Sequence, residues 1–127
     1  MANHRIFLVD DDRFLLDMYA IKFKNAGHEV TAFQSGDEVL AALKKEPAPD
    51  AILMDVVMPG MTGFETLETM RRENIAATSK VIILSNQGQD SDLEKAKELN
   101  AAGYIIKASA IPSEVYAETI KIIEKPA

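Results

Sequence analysis

Ala51-Ile52-Leu53-Met54, with Asp55 directly after it, is the stretch whose reading decides the fold. Side chains alternate between the two faces of a strand, so a run of consecutive apolar residues would put some of them in water on a one-sided sheet. Such a run suits a strand covered on both faces of a parallel sheet. Ile6-Phe7-Leu8-Val9 and Val81-Ile82-Ile83-Leu84 are continuously apolar in the same way. Glu29-Val30-Thr31-Ala32-Phe33 is more mixed, as an edge strand would be, and Tyr104-Ile105-Ile106 supplies a last run.

Helical patterns separate these runs. Ser35-Gly36-Asp37-Glu38, Thr62-Gly63-Phe64-Glu65 and Ser91-Asp92-Leu93-Glu94 each read Ser/Thr-x-x-Glu. In that capping box a hydroxyl and a carboxylate satisfy each other's orphaned backbone N–H groups. Gly27 and Gly103 follow helical patterns, where a left-handed residue ends a helix at little cost. Pro112 suits the first turn of a last helix running through Ile122-Ile123. Strand and helix alternate about five times over 127 residues with no linker between them. This predicts one α/β domain over 1–127, a doubly wound five-stranded parallel sheet with helices on both faces.

Composition removes several function classes. A net charge of −6, with Lys and Arg scattered along the chain, argues against a nucleic-acid-binding surface. No apolar run approaches the ~18 residues of a membrane span, and Met1-Ala2-Asn3-His4-Arg5 leads directly into a strand run rather than a signal peptide. The absence of cysteine excludes disulfides and thiolate metal sites. The expectation is a cytoplasmic domain that binds neither DNA nor membrane.

In doubly wound sheets the active crevice lies beyond the carboxyl ends of the strands. Asp10, Asp11 and Asp12 follow the first run and Asp55 the third. Ser85-Asn86-Gln87-Gly88 follows the fourth, and Lys107 ends the fifth. Carboxylates gathered at one rim repel by roughly 4 kcal/mol per pair at an effective dielectric near 20, so their assembly calls for a cation. Mg²⁺ takes hard oxygen ligands and uses one or two carboxylates. The choice here is Asp11 and Asp55 as direct ligands, Asp10 through a water, and the Val57 carbonyl as a further oxygen. With the metal bound, Asp55 can act as a nucleophile toward phosphorus. Lys107 and Ser85 would then meet the charge on the phosphoryl oxygens. Each residue also has a plainer use: Asp12 as a helix cap, Asp55 as a turn residue, Ser85 as a loop hydroxyl, Lys107 as a solvated charge. The case for chemistry rests on the set.

Phe7-Leu8-Val9-Asp10-Asp11-Asp12, Asp55-Val56-Val57-Met58-Pro59-Gly60-Met61-Thr62-Gly63, Ser85 and Gly103-Tyr104-Ile105-Ile106-Lys107 together resemble the response regulator receiver domain. The intervals agree with it as well: 55 − 11 = 44, 85 − 55 = 30 and 107 − 85 = 22. The resemblance covers essentially the whole chain and implies strand order 2-1-3-4-5. It also implies that Asp55 takes a phosphoryl group from a histidine kinase or histidine phosphotransferase, with Mg²⁺ at Asp10 and Asp11. Ser85 and Tyr104 would be the switch residues. The helix 91–100, the strand 104–106 and the helix from Pro112 would form the output face toward a downstream protein, with a phosphorylation-dependent dimer among the implied outcomes. Such a domain is a signalling phosphoacceptor, an enzyme only toward its own phosphoryl group.

The chain departs from the family in places. Ala108 stands where a Pro usually follows the lysine, and Thr62 stands for a frequent Asp. Val57 and Gln87 flank the site where the family tunes phosphoryl lifetime, and Val57 has no polar group to hold an attacking water, which points to slow hydrolysis. Other readings stay open at this point: an aspartyl-nucleophile phosphatase, a flavin module on the same topology, and a degenerate receiver used only for protein contact. Asp10-Asp11-Asp12 also reads as Asp-x-Asp, but Arg13-Phe14 follows and no length remains for a cap. Three carboxylates would repel a flavin phosphate. The expectation is that no output domain follows Pro126-Ala127, whether as a stand-alone regulator acting by protein contact or as a receiver cut from a larger protein.

The first helix carries more apolar residues than one core stripe needs. Leu15, Met18, Tyr19 and Phe23 are assigned to the core. Phe14 and Ile21 are left on a second face, a candidate docking patch for the phosphoryl donor.

Overall fold

The computed structural model describes residues 3–85, 90–107 and 111–125. Asn86, Gln87, Gly88, Ala108 and the Pro126-Ala127 terminus therefore lie outside the described residues. Five strands and five helices alternate: β1 (Arg5–Val9), α1 (Arg13–Asn25), β2 (Glu29–Phe33), α2 (Gly36–Lys45), β3 (Ala51–Asp55), α3 (Gly63–Arg72), β4 (Lys80–Ser85), α4 (Asp90–Glu98), β5 (Gly103–Ile106) and α5 (Pro112–Glu124). The sheet is parallel throughout, in the order β2-β1-β3-β4-β5. Both the expected fold class and the expected strand order are present.

Register and pleat divide the core in two. Phe7, Val9, Ile52, Met54, Val81 and Ile83 point into one cluster with Val39, Leu40, Leu43, Phe64, Leu67, Met70 and Ala96, from the helices α2, α3 and α4. Ile6, Leu8, Ala51, Leu53, Ile82 and Leu84 point the other way, onto Leu16, Tyr19, Ala20, Phe23 and Val115 of α1 and α5. Each continuous apolar run is thus split residue by residue between two buried faces. β2 is the mixed edge strand, with Glu29, Thr31 and Ala32 exposed. No described helix is long and apolar enough to cross a membrane.

Local expectations fared unevenly. Thr62 and Glu65 close the full capping box, with Glu65 N–H donating to Thr62 Oγ1 at 3.1 Å and Thr62 N–H to Glu65 Oε1 at 2.9 Å. Ser35 caps α2 by accepting from Glu38 N–H, but the Glu38 carboxylate reaches Gln34 instead of Ser35. Ser91 is no cap: α4 begins at Asp90, so Ser91 lies within the helix. Gly27 does end α1, at φ 96°. After α4 the left-handed residue is Asn100, at φ 57°, the other residue type that tolerates this conformation, while Gly103 opens β5.

In α1 the expected core residues Tyr19 and Phe23 are buried, but the other two positions of the stripe differ. The buried residues are Leu16, Tyr19, Ala20 and Phe23, spaced i, i+3, i+4, i+7. Leu15 is partly buried and Met18 is 50% exposed. Asp12 caps the helix, accepting from Leu15 N–H at 3.2 Å.

Substituting Thr62 by Ala should cost about 1 kcal/mol in urea unfolding, the usual value of an N-cap. Substituting Ser91 by Ala should fall within about 0.5 kcal/mol of wild type, because no cap is lost there.

Candidate functional site

β1 and β3 lie side by side where the chain's crossovers diverge, the place a doubly wound sheet opens a crevice. Val9 is level with Met54, so Asp10 emerges beside Asp55. Asp55 pairs in register with Leu84, and Ser85 with Ile106, which brings Ser85 and Lys107 to the same rim. Gly63 anchors this corner from below. Its N–H donates to the Val56 carbonyl at 2.9 Å, and a Cβ at position 63 would collide with the Asp55 carbonyl oxygen.

Asp10, Asp11, Asp12, Leu15, Asp55, Val57 and Lys107 line a cleft of about 350 Å³. Asp10 and Asp55 are buried, whereas Asp11 stands exposed at the mouth. Lys107 Nζ donates to Asp10 Oδ2 at 2.9 Å and lies 3.3 Å from Asp55 Oδ1. The other Asp10 oxygen accepts the Asp12 N–H at 2.9 Å. Asp10 is therefore the hub of the cleft: one oxygen shapes the turn into α1, the other seats the lysine. Asp12 is occupied as the α1 cap, its plainer use. Ser85 is buried at the end of β4. Tyr104, near the start of β5, packs against the α2–α3–α4 core. The Val57 side chain is exposed beside the cleft.

Oxygens of Asp10, Asp11 and Asp55 all lie within 4.8 Å of one another, the only such cluster among the described residues. Three carboxylates against one ammonium leave two negative charges, and every donor is a hard oxygen. That set fits a divalent cation such as Mg²⁺ and is wrong for soft metals. Burial, then repulsion from Asp10, pushes the Asp55 carboxyl up to about 6, and Lys107 only partly offsets them. For Lys107 burial opposes the charge, but the bond to Asp10 and the field of Asp55 outweigh it and hold the ammonium above its usual range. Burial also raises the Tyr19 hydroxyl, which sits on α1 within the field of the same groups.

The geometry has close parallels. The sequence model of the response regulator receiver domain matches residues 6–116. PilH of Pseudomonas aeruginosa is 29% identical over 94% of this chain and 96% of its own length. The phosphate regulon transcriptional regulatory protein PhoB of the same organism is 26% identical over 98% of this chain, which spans about half of that relative. Among solved structures, the chemotaxis response regulator CheY4 of Vibrio cholerae superposes with a TM-score of 0.85 and 26% identity, over 95% of this chain and 99% of that one. Fold and site define an α/β receiver, and the chain belongs to the response regulator receiver domain family.

The raised Asp55 carboxyl has a consequence for stability. Its folded value near 6 exceeds the unfolded value near 3.8, so the folded state holds its proton more tightly. The stability penalty is absent below about pH 4, grows as the pH rises toward 6 and is complete above that. Without divalent cation, Asp55→Asn should stabilise the protein by about 1–3 kcal/mol at pH 8, and the gain should vanish near pH 4. Chemical denaturation across that range measures it; a gain independent of pH would contradict the assignment.

Proposed function

We propose that this domain is the phosphoacceptor of a two-component pathway, taking a phosphoryl group onto Asp55 from a histidine kinase or histidine phosphotransferase. The observation that carries the reading is Asp55 itself. It is held at the end of β3 within 3.3 Å of the Lys107 ammonium and clustered with two further carboxylates. An Asp55 carboxylate oxygen forms the new bond to phosphorus while the P–N bond to the donor imidazole breaks. The bonding pair leaves on that nitrogen, which takes up a proton. No other covalent change is needed, so the protein's task is to position the carboxylate and meet the charge on the transferred oxygens. Lys107 supplies a positive centre on one side of Asp55. Ser85, beside Lys107 at the rim, supplies a hydroxyl for a phosphoryl oxygen.

Asp11, Asp55 and the Val57 carbonyl would hold Mg²⁺, with Asp10 joining through water because both of its oxygens are engaged. When bound, the cation neutralises charge on the carboxylates and the phosphoryl oxygens. Val57 offers no polar side chain toward a hydrolytic water, which supports a long-lived phosphoryl group. Ser85 and Tyr104 then report occupancy to the face formed by α4, β5 and α5, and a downstream protein or a second copy reads that face. Weak anchoring of α4 supports this. Ala96 is its one buried residue among the described ones, and Arg71 of α3 clasps the turn beyond the helix by donating to the Leu99 and Asn100 carbonyls at 2.8 and 3.0 Å. The domain is read as residues 1–127, working in the cytoplasm and catalysing only its own phosphorylation and dephosphorylation.

The donor would dock on α1. Phe14, Met18 and Ile21 are 84%, 50% and 58% exposed and recur at i, i+4, i+7, an apolar stripe starting next to Leu15 at the cleft. An amphipathic helix of the donor would lay its apolar face along this stripe.

Incubation with acetyl phosphate and Mg²⁺ should add one hydroxylamine-labile phosphoryl group, seen by mass, and Asp55→Asn should abolish it with the fold intact. Equal labelling of the variant would end the proposal. Phe14→Ala combined with Ile21→Ala should slow transfer from a phosphohistidine donor about tenfold or more. The same pair should leave acetyl phosphate labelling unchanged, which separates docking from chemistry.

A further inference from the structure

The chain's two histidines meet at the end of the sheet opposite the acidic cleft. Their rings stack with centroids 5.3 Å apart and 11° from parallel. The His4 backbone N–H donates to His28 Nδ1 at 3.0 Å, and His28 Nε2 lies 3.2 Å from the Tyr116 hydroxyl of α5. Phe23, near the end of α1, sets its ring edge-on to both His28 and Tyr116. His4 in turn places Nε2 3.1 Å from Glu124 Oε2, with Nδ1 4.0 Å from Asp50 Oδ2. One small cluster thus joins the starts of β1 and β2, the end of α1 and the length of α5.

The hydrogen bonds dictate a protonation state. A backbone N–H can only donate, so His28 Nδ1 must keep its lone pair. In the neutral ring the proton then sits on Nε2, aimed at the Tyr116 oxygen. A proton on Nδ1 would set N–H against N–H, break the bond to His4 and leave a buried cation against a second imidazole. We propose that His28 is an acid-operated latch, whose neutral ring holds α5 to the starts of β1 and β2 and whose protonation releases it.

The groups facing His28 agree. His4 stacks on its ring from the β1 side, Tyr116 and Glu124 approach from α5, and Asp50 stands beyond His4. Phe23 brings no charge from α1. Burial, then the neighbouring His4, lowers the His28 pKa below the ordinary histidine value, with Glu124 opposing. A lowered value means the released or unfolded ring binds the proton more tightly. The latch is therefore whole above about pH 6.5 and is lost as the pH falls through the folded value. Lys80 is an independent tie: its Nζ donates to the Ile122, Ile123 and Lys125 carbonyls at 3.1, 3.0 and 2.9 Å. Release should accordingly let α5 open transiently and expose its amides, while Lys80 still ties its last turn.

This inference does not depend on phosphorylation and is tested on the unphosphorylated chain. Hydrogen exchange of the α5 amides, corrected for intrinsic rate, would be followed from roughly pH 7 to pH 5 alongside NMR titration of both imidazoles. The expected result is stable protection above about pH 6.5, then a loss approaching tenfold per pH unit that levels off once His28 is ionised in the folded chain, while β3 amides keep theirs. His28→Asn, which retains an acceptor near the Nδ1 position but cannot titrate, should flatten the response. The latch is overturned if α5 protection is insensitive to pH, if its loss follows the His4 ring instead, or if His28→Asn responds as wild type does. Should that variant not fold, the wild-type comparison of the two imidazoles decides alone.

Discussion

Lys107 bridging Asp10 and Asp55 is the interaction on which the functional end of this molecule depends. The sheet is buried on both faces, so charge has no place along β1, β3 or β4 and must collect where those strands end. At that rim two nearly buried carboxylates face each other, and without the ammonium the corner would carry unbalanced like charge. Asp10 anchors the arrangement because its oxygens serve two masters, the turn into α1 and the lysine after β5. Elements 97 residues apart in sequence are locked together by one side chain.

That lock also sets the electrostatic character of Asp55. Burial and Asp10 push its proton affinity up, while Lys107 keeps the carboxylate within reach of ionisation near neutrality. A cleft left with excess negative charge is preorganised for a hard cation, and a carboxylate with a cation on one side is a competent acceptor of phosphorus. The same residues that destabilise the fold as a set of charges thereby make the site usable. Stability comes instead from the two apolar clusters on either side of the sheet.

The far end of the sheet is built differently. There His28 pairs with Tyr116 and Lys80 with the last carbonyls of α5, beside ion pairs of Arg5 to Glu29 and Glu46. α5 thus runs from the rim that carries Lys107 to a corner governed by an imidazole.

Much of this was legible without coordinates. Continuous apolar runs at 6–9, 51–54 and 81–84 demand a sheet covered on both sides, and chain-order rules then put Asp10, Asp55, Ser85 and Lys107 at one rim. Thr62-x-x-Glu65 named its own helix start because a capping box is entirely local. Tertiary structure decided what depends on partners distant in sequence. The α1 stripe settled on Leu16 and Ala20, not Leu15 and Met18, because packing against the sheet beneath fixes the helix's rotation. Ser91 went inside α4 despite its motif, since a Ser/Thr-x-x-Glu pattern cannot say which residue the helix begins on. Asp10 proved to be a hydrogen-bonding hub, and His4 found His28, because hydrogen bonds across 97 and 24 residues leave no periodic trace in the chain.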